Sequence, residues 1–147
     1  MFKKIFSLIT VAIAALIVSA CGGSSSGGDT PPDLVTSSMN NNNGSVSNGQ
    51  INVVLRPPLG VSFSGPVNPI TVNTQTVVLS TATDGSNPIA LTPFTANNNN
   101  TNYSFATVNL LQANTKYYLI VNGVNTEGTQ TESAQAVSAN TFSFTTG

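Results

Sequence analysis

Side chains that could carry out catalysis are scarce in this chain. Among its 147 residues there are no histidines, one cysteine, five acidic residues and four basic residues. The acidic side chains are those of Asp29, Asp33, Asp84, Glu127 and Glu132. Their spacing fits no paired-carboxylate or phosphate-loop motif, and no histidine is present to activate the many serine and threonine hydroxyls. We therefore expect a protein that is not an enzyme and that needs no cofactor.

Metal binding has equally little support in the sequence. Because Cys21 is the only cysteine, a cysteine-based metal site and a disulfide framework are both excluded. Calcium takes oxygen ligands, so Asp84, Glu127 and Glu132 are the alternative to be weighed. Their spacing does not match the EF-hand loop. We expect ordinary acidic residues in turns and no metal site.

The segment before Cys21 has the layout of a secretion signal. Lys3 and Lys4 precede an apolar run over residues 5–18, which only Ser7 and Thr10 interrupt. This run is shorter than the roughly 20 apolar residues that a membrane-spanning helix requires. We therefore expect residues 1–20 to be removed as a signal peptide.

The residues around the cleavage point carry a family resemblance. Val18, Ser19, Ala20 and Cys21 resemble the lipobox of bacterial lipoproteins at all four positions. The resemblance implies a diacylglycerol on the Cys21 thiol, and hence the membrane as a partner, because two or three acyl chains anchor a protein stably. The next residue is Gly22 and not aspartate, which resembles the signal for the outer membrane in bacteria that have two membranes.

Residues 21–50 follow as a segment rich in glycine, serine, asparagine, threonine and proline. Such a composition buries too little apolar surface to offset its conformational entropy. The sequence predicts a lipidated cysteine followed by a flexible linker with a mean reach of about 30 Å. Leu34, Val35 and Met39 interrupt the linker, and a short partner-binding motif at these residues is the alternative.

Residues 51–147 are of the size of one domain and show short apolar runs of strand type. Proline, glycine and asparagine clusters separate these runs, which is typical of an all-β protein. The predicted strands are 51–55, 61–64, 76–80, 89–94, 103–110, 117–124 and 141–145. About seven short strands at this spacing predict a β-sandwich with an immunoglobulin-like (Ig-like) fold.

One local signal concerns Tyr117. The segment LQANTKY, residues 111–117, resembles the tyrosine corner of Ig-like sandwiches, in which a tyrosine at the start of a strand hydrogen-bonds to the upstream backbone. Tyr117 is therefore predicted to be a structural residue.

Four segments in order resemble the bacterial Ig-like domain of S-layer proteins of the SbsA type. They are VSFSGPVNP at 61–69 with TVN at 71–73, LQANTKYYLIV at 111–121, GVNTEG at 123–128 and the ending FSFTTG at 142–147. The resemblance implies a spacer or binding module of surface and secreted proteins, with no catalytic residues. The first strand of the family is compressed into 51–60, and the sequence leaves open whether this strand is complete or is lacking and borrowed from a neighbour.

The expected surface is polar and nearly uncharged. Loss of the signal peptide leaves two basic and five acidic residues, a net charge of about −3, and no basic patch, so nucleic acid is not an expected partner. A surface protein or a glycan is the expected kind of partner. Tyr118 and Tyr103 are the candidates for ligand contact, because sugars pack against exposed aromatic rings and the chain has no tryptophan.

These observations predict a lipid-anchored Ig-like module on an extracytoplasmic membrane face, with a structural or adhesive role. The first alternative is a glycan- or peptidoglycan-binding module, which requires Tyr118 or Tyr103 to be exposed. The second is a protein that adds a strand from a partner, which requires a long uncovered sheet edge.

Overall fold

Eight β-strands and one turn of 3-10 helix form the regular secondary structure of the described residues. The computed structural model describes residues 35–39, 46–97, 99–126 and 135–147. The strands are β1 (Ser37–Met39), β2 (Gln50–Val53), β3 (Pro58–Phe63), β4 (Val77–Ser80), β5 (Thr95–Ala96), β6 (Asn102–Ala106), β7 (Lys116–Val121) and β8 (Asn140–Thr146), and the 3-10 helix is Pro69–Thr71. The predicted signal peptide, the lipobox with Cys21, and Glu127 and Glu132 lie outside the described residues.

The strands form two sheets of four. One sheet has the order β1-β3-β6-β5 and the other the order β2-β8-β7-β4. This is the strand order of an Ig-like sandwich, A-B-E-D against C-F-G, with the first strand divided between the two sheets. The predicted fold class, an all-β Ig-like sandwich, is confirmed.

Alternation of apolar and polar residues explains the core. In β7, Tyr117, Leu119 and Val121 are buried, while the residues between them face outward. In β8, Phe142 and Phe144 are buried in the same way. Successive side chains of a strand point to opposite faces, so each strand contributes one row to the space between the sheets. Burial of each such side chain contributes about 1.5 to 3 kcal/mol.

The sandwich begins upstream of the predicted boundary at residue 51. β1 lies inside the segment that was expected to be linker, and it pairs antiparallel with β3, Ser37 opposite Phe63 and Met39 opposite Val61. Ser37 is 6% exposed and Met39 is 9% exposed. The linker prediction was therefore wrong for residues 35–39, because these residues gain sheet hydrogen bonds and burial that their composition does not reveal.

The chain also supplies its own first strand to the second sheet. β2 pairs with β8 in parallel, and its register shifts between Gln50 and Val53. Asn52 lies at this irregularity with a φ of 56°, in the left-handed region that asparagine tolerates better than most residues. Both halves of the first strand of the described sandwich therefore come from this chain.

The segment predicted as a strand over 89–94 connects the two sheets instead. The Ile89 N–H donates to the Leu79 carbonyl of β4 at 2.7 Å, and the Thr92 N–H donates to the Ala106 carbonyl of β6 at 2.8 Å. The segment changes sheets within three residues, so it cannot form one regular strand. The segment 89–94 also covers the edge of β4. The edge strands β1, β2, β4 and β5 have only two to four residues each. The described residues thus offer no long uncovered edge.

Candidate functional site

Tyr117 holds the loop before β7 against the sandwich. Its side chain is 1% exposed, and its hydroxyl oxygen accepts a hydrogen bond of 2.8 Å from the Gln112 N–H. Its ring stacks on Phe144 with 5.6 Å between the ring centres. This is the geometry of a tyrosine corner, and it gives Tyr117 a structural role.

Thr146 fixes the same loop from the last strand. Its hydroxyl accepts a hydrogen bond of 2.9 Å from the Thr115 N–H and donates one of 2.6 Å to the Gln112 carbonyl. The loop over residues 112–115 is therefore tied to β7 through Tyr117 and to β8 through Thr146.

Tyr103 does not reach the surface, so its assignment as a ligand contact was wrong. It lies in β6 with 3% of its surface exposed, and its ring meets Phe63 edge to face at 5.9 Å. Phe105, two residues later in the same strand, is also buried. The shared face of β6 explains both positions, because residues two apart in a strand point the same way.

Tyr118 lies on the outer face of the β2-β8-β7-β4 sheet and is half-buried. Its neighbours in the sheet are Ser143 of β8 and Ser80 of β4. The Lys116 ammonium lies over its ring, 5.4 Å from the ring centre, which is a cation–π geometry. Of the two tyrosines proposed for ligand contact, only Tyr118 keeps access to the exterior.

Asp84 is the acidic residue that the structure describes, and its carboxylate accepts a hydrogen bond within a turn. The Ser86 side chain and the Ser86 N–H, which donates at 2.9 Å, stabilise the Asp84 carboxylate and lower its pKa below the ordinary value. No group of three or more metal-binding side chains occurs within the described residues. No helix in the described part of the chain is long and apolar enough to cross a membrane.

A groove of about 640 Å³ opens beside the tyrosine corner. One wall comes from the segment that follows β4 and includes Asn87, Pro88 and Ile89. The other wall comes from the segment that precedes β7 and includes Asn109, Leu110 and Gln112, and Tyr117 also contributes to the lining. We refer to this feature, defined by Thr81, residues 86–90, residues 109–112 and Tyr117, as the corner groove. Its size is within the range of small-ligand sites.

Comparison with solved structures finds this fold in S-layer proteins. Domains 1–6 of the surface layer protein SbsC match 75% of this chain with a TM-score of 0.50 and 11% identity. The S-layer protein rSbsC matches 75% with a TM-score of 0.50 and 13% identity. The N-terminal part of the bacterial S-layer protein SbsC matches 76%, also with a TM-score of 0.50 and 13% identity.

The chain covers only 13% to 23% of the length of these proteins. At such low identity the likeness shows the fold alone. No family model matches the sequence, and no curated protein matches it either. The resemblance to Ig-like domains of S-layer proteins and the structural likeness therefore agree at the level of fold.

Proposed function

We propose that this chain is a lipid-anchored, non-catalytic Ig-like module with a structural or binding role in surface assembly outside the cell. The Ig-like sandwich is the observation that supports this proposal. The polar and aromatic groups that stand out in the sequence stabilise this fold, which favours a non-catalytic role. Tyr117 and Thr146 fix a loop, and Tyr103 packs in the core. The S-layer proteins that share the fold support a role at the cell surface.

Lipid on Cys21 is the proposed means of attachment. Val18, Ser19 and Ala20 provide the pattern for cleavage before Cys21, and acylation there would hold the module on an extracytoplasmic membrane face. In a bacterium with two membranes, Gly22 favours the outer one. Val35 packs against the sandwich core, so the described sandwich has begun by that residue.

Metabolic labelling with an alkyne analogue of palmitate tests the attachment. Wild-type protein and a Ser24→Ala control, which keeps the lipobox, should both incorporate the label. Cys21→Ser should incorporate none, because serine lacks the thiol that accepts the diacylglycerol. Unlabelled wild-type protein, or equal labelling of Cys21→Ser, would show that Cys21 is not the anchor.

A glycan-binding role is the second candidate, and Tyr118 is the observation that favours it. Its ring is half-buried on the outer face of a sheet, and Ser143, which is also half-buried, lies opposite it in β8. Under this alternative, Tyr118→Ala should abolish the retention of the protein on immobilised peptidoglycan, while Val78→Ala, on the same face, should leave it unchanged. Retention that survives Tyr118→Ala would rule out this site.

A further inference from the structure

The corner groove lies at the end of the sandwich opposite to the point where the chain enters it. β1 begins with Ser37 opposite Phe63, the last residue of β3. The corner groove instead follows the last residue of β4, Ser80, which lies opposite Tyr118 near the start of β7. The corner groove and the start of β1 therefore lie at opposite ends of the described sandwich.

The polar groups of the corner groove suit a neutral hydrogen-bonding ligand. None of its lining residues carries a charge. Asn87, Asn109 and Gln112 are exposed, and each carboxamide offers two N–H donors and an acceptor oxygen. These three carboxamides make no hydrogen bond to another described residue. A peptide group presents one N–H and one C=O, which is the complement of a carboxamide.

Tyr117 adds one more donor to the corner groove. Its hydroxyl oxygen accepts from the Gln112 N–H, and within the described residues no group accepts its own proton. The side chain is 1% exposed and lines the corner groove. The hydroxyl proton is therefore the group of Tyr117 that a ligand oxygen in the corner groove would accept.

Apolar side chains at the same end provide an anchor for a side chain of the ligand. Leu110 in the corner groove is 69% exposed, and Val54 is 65% exposed. The Leu111 N–H donates to the Leu55 carbonyl at 2.7 Å, so the two segments that carry these side chains are adjacent. Exposed apolar side chains beside polar groups are typical of an interaction surface.

We propose that the corner groove binds an extended, uncharged polypeptide segment of another surface protein. The carboxamides and the Tyr117 hydroxyl bind its backbone, and Leu110 contacts one of its apolar side chains. Recognition of a main chain by hydrogen bonds with a pocket for alternate side chains is a known mode of peptide binding. The proposal deepens the proposed function, since it names the site that would hold a partner.

Composition argues against a sugar in the corner groove. Its only aromatic lining residue is Tyr117, whose ring stacks on Phe144 in the core and is closed to a ligand. A sugar ring would therefore find no aromatic face, whereas Pro88, Ile89 and Leu110 suit an aliphatic side chain.

The test uses the processed protein, without residues 1–20, in detergent. It is applied to two sets of immobilised probes. One set consists of capped ten-residue peptides built from Ala, Ser, Thr, Asn, Leu and Val. The other consists of neutral N-acetylated oligosaccharides. Leu110→Ser is the test variant, because its side chain is exposed and contributes little to the fold. Ile70→Ser is the matched control, since Ile70 is 85% exposed and lies in the 3-10 helix after β3, away from the corner groove.

We expect a subset of the peptides to be retained, with a Kd that rises about fivefold or more in Leu110→Ser and stays unchanged in Ile70→Ser. The proposal is overturned if no peptide is retained, if both variants weaken retention equally, or if Leu110→Ser has no effect. It is also overturned if the oligosaccharides alone are retained. Palmitate labelling is measured separately, so peptide retention without label would contradict the anchor and leave the corner groove as a peptide site.

Discussion

Two buried threonines show how the surroundings decide what a hydroxyl contributes. Thr146 is 2% exposed, and its Oγ1 accepts from the Thr115 N–H and donates to the Gln112 carbonyl. Thr107 is fully buried, and its Oγ1 has no hydrogen-bond partner within the described residues. A buried hydroxyl without a partner costs about 1 to 3 kcal/mol. The first hydroxyl therefore stabilises the sandwich and the second destabilises it.

Replacement of each threonine by valine, which has nearly the same shape, separates these effects. Thr107→Val should raise the free energy of unfolding by about 1 kcal/mol, because it removes an unmet hydroxyl. Thr146→Val should lower it by about 1 to 3 kcal/mol, because it leaves the Thr115 N–H unpaired. Urea unfolding of the processed protein measures both. Changes of the same sign in the two variants would contradict the hydrogen-bond assignment.

The sequence predicts the roles of some single residues and not of others. The role of Tyr117 follows from a local pattern, because its partner Gln112 is only five residues away. The burial of Tyr103 also follows from a pattern, because Tyr103 and Phe105 are two residues apart and share one face of a strand. This pattern is a better guide to its position than the ability of an aromatic ring to bind sugars. The corner groove has no such signal, since its two walls are about 20 residues apart in the sequence and meet only in the folded chain.

Among the elements, β1 best shows what a sequence pattern omits. Its three residues, Ser37–Met39, include one large apolar side chain in a serine- and asparagine-rich segment, too few for any periodicity. Backbone pairing with β3 nevertheless gives it a fixed position, and the Asn140 side chain donates to the Ser37 carbonyl at 3.2 Å. Six of the seven predicted strands overlap observed ones, namely β2, β3, β4, β6, β7 and β8, although β6 ends four residues before the predicted end.

The place of β1 in the sandwich is tested by a pair of substitutions on its two faces. Met39→Asp puts a carboxylate at a position that is 9% exposed, and should destabilise the domain by at least about 2 kcal/mol. Ser38→Asp puts the same group on the exposed face and should change stability by less than about 0.5 kcal/mol. Thermal unfolding of the processed protein compares them. Equal and small effects of the two substitutions would show that residues 35–39 belong to the linker and not to the sandwich.

The whole molecule has few titratable groups, and this limits its response to pH. It has no histidine, and among the described residues the Asp84 carboxylate is the group whose pKa is lowered, by the Ser86 side chain and N–H. A group with a lowered pKa in the folded state stabilises the fold above its ordinary pKa. That contribution disappears as the pH falls through the folded-state pKa. Asp84 is fully exposed, so the contribution is small.

We therefore expect a nearly constant melting temperature from about pH 5 to 8, where no histidine titrates. Below about pH 4 the melting temperature should fall, and Asp84→Asn should show less of this fall, because it lacks the carboxylate. Scanning calorimetry of both proteins across this range provides the measurement. A transition near pH 6.5 would point to a titrating group other than Asp84.

The proposed function of the whole molecule depends on how the sandwich is attached to a membrane. Intact-mass analysis of the protein extracted from membranes by detergent measures this directly, with the Cys21→Ser variant beside it. We predict that the wild-type chain begins at Cys21 with added diacylglycerol and acyl mass, and that Cys21→Ser retains residues 1–20 without lipid. A wild-type chain released from membranes, with an unmodified Cys21 or a start at another residue, would contradict this prediction.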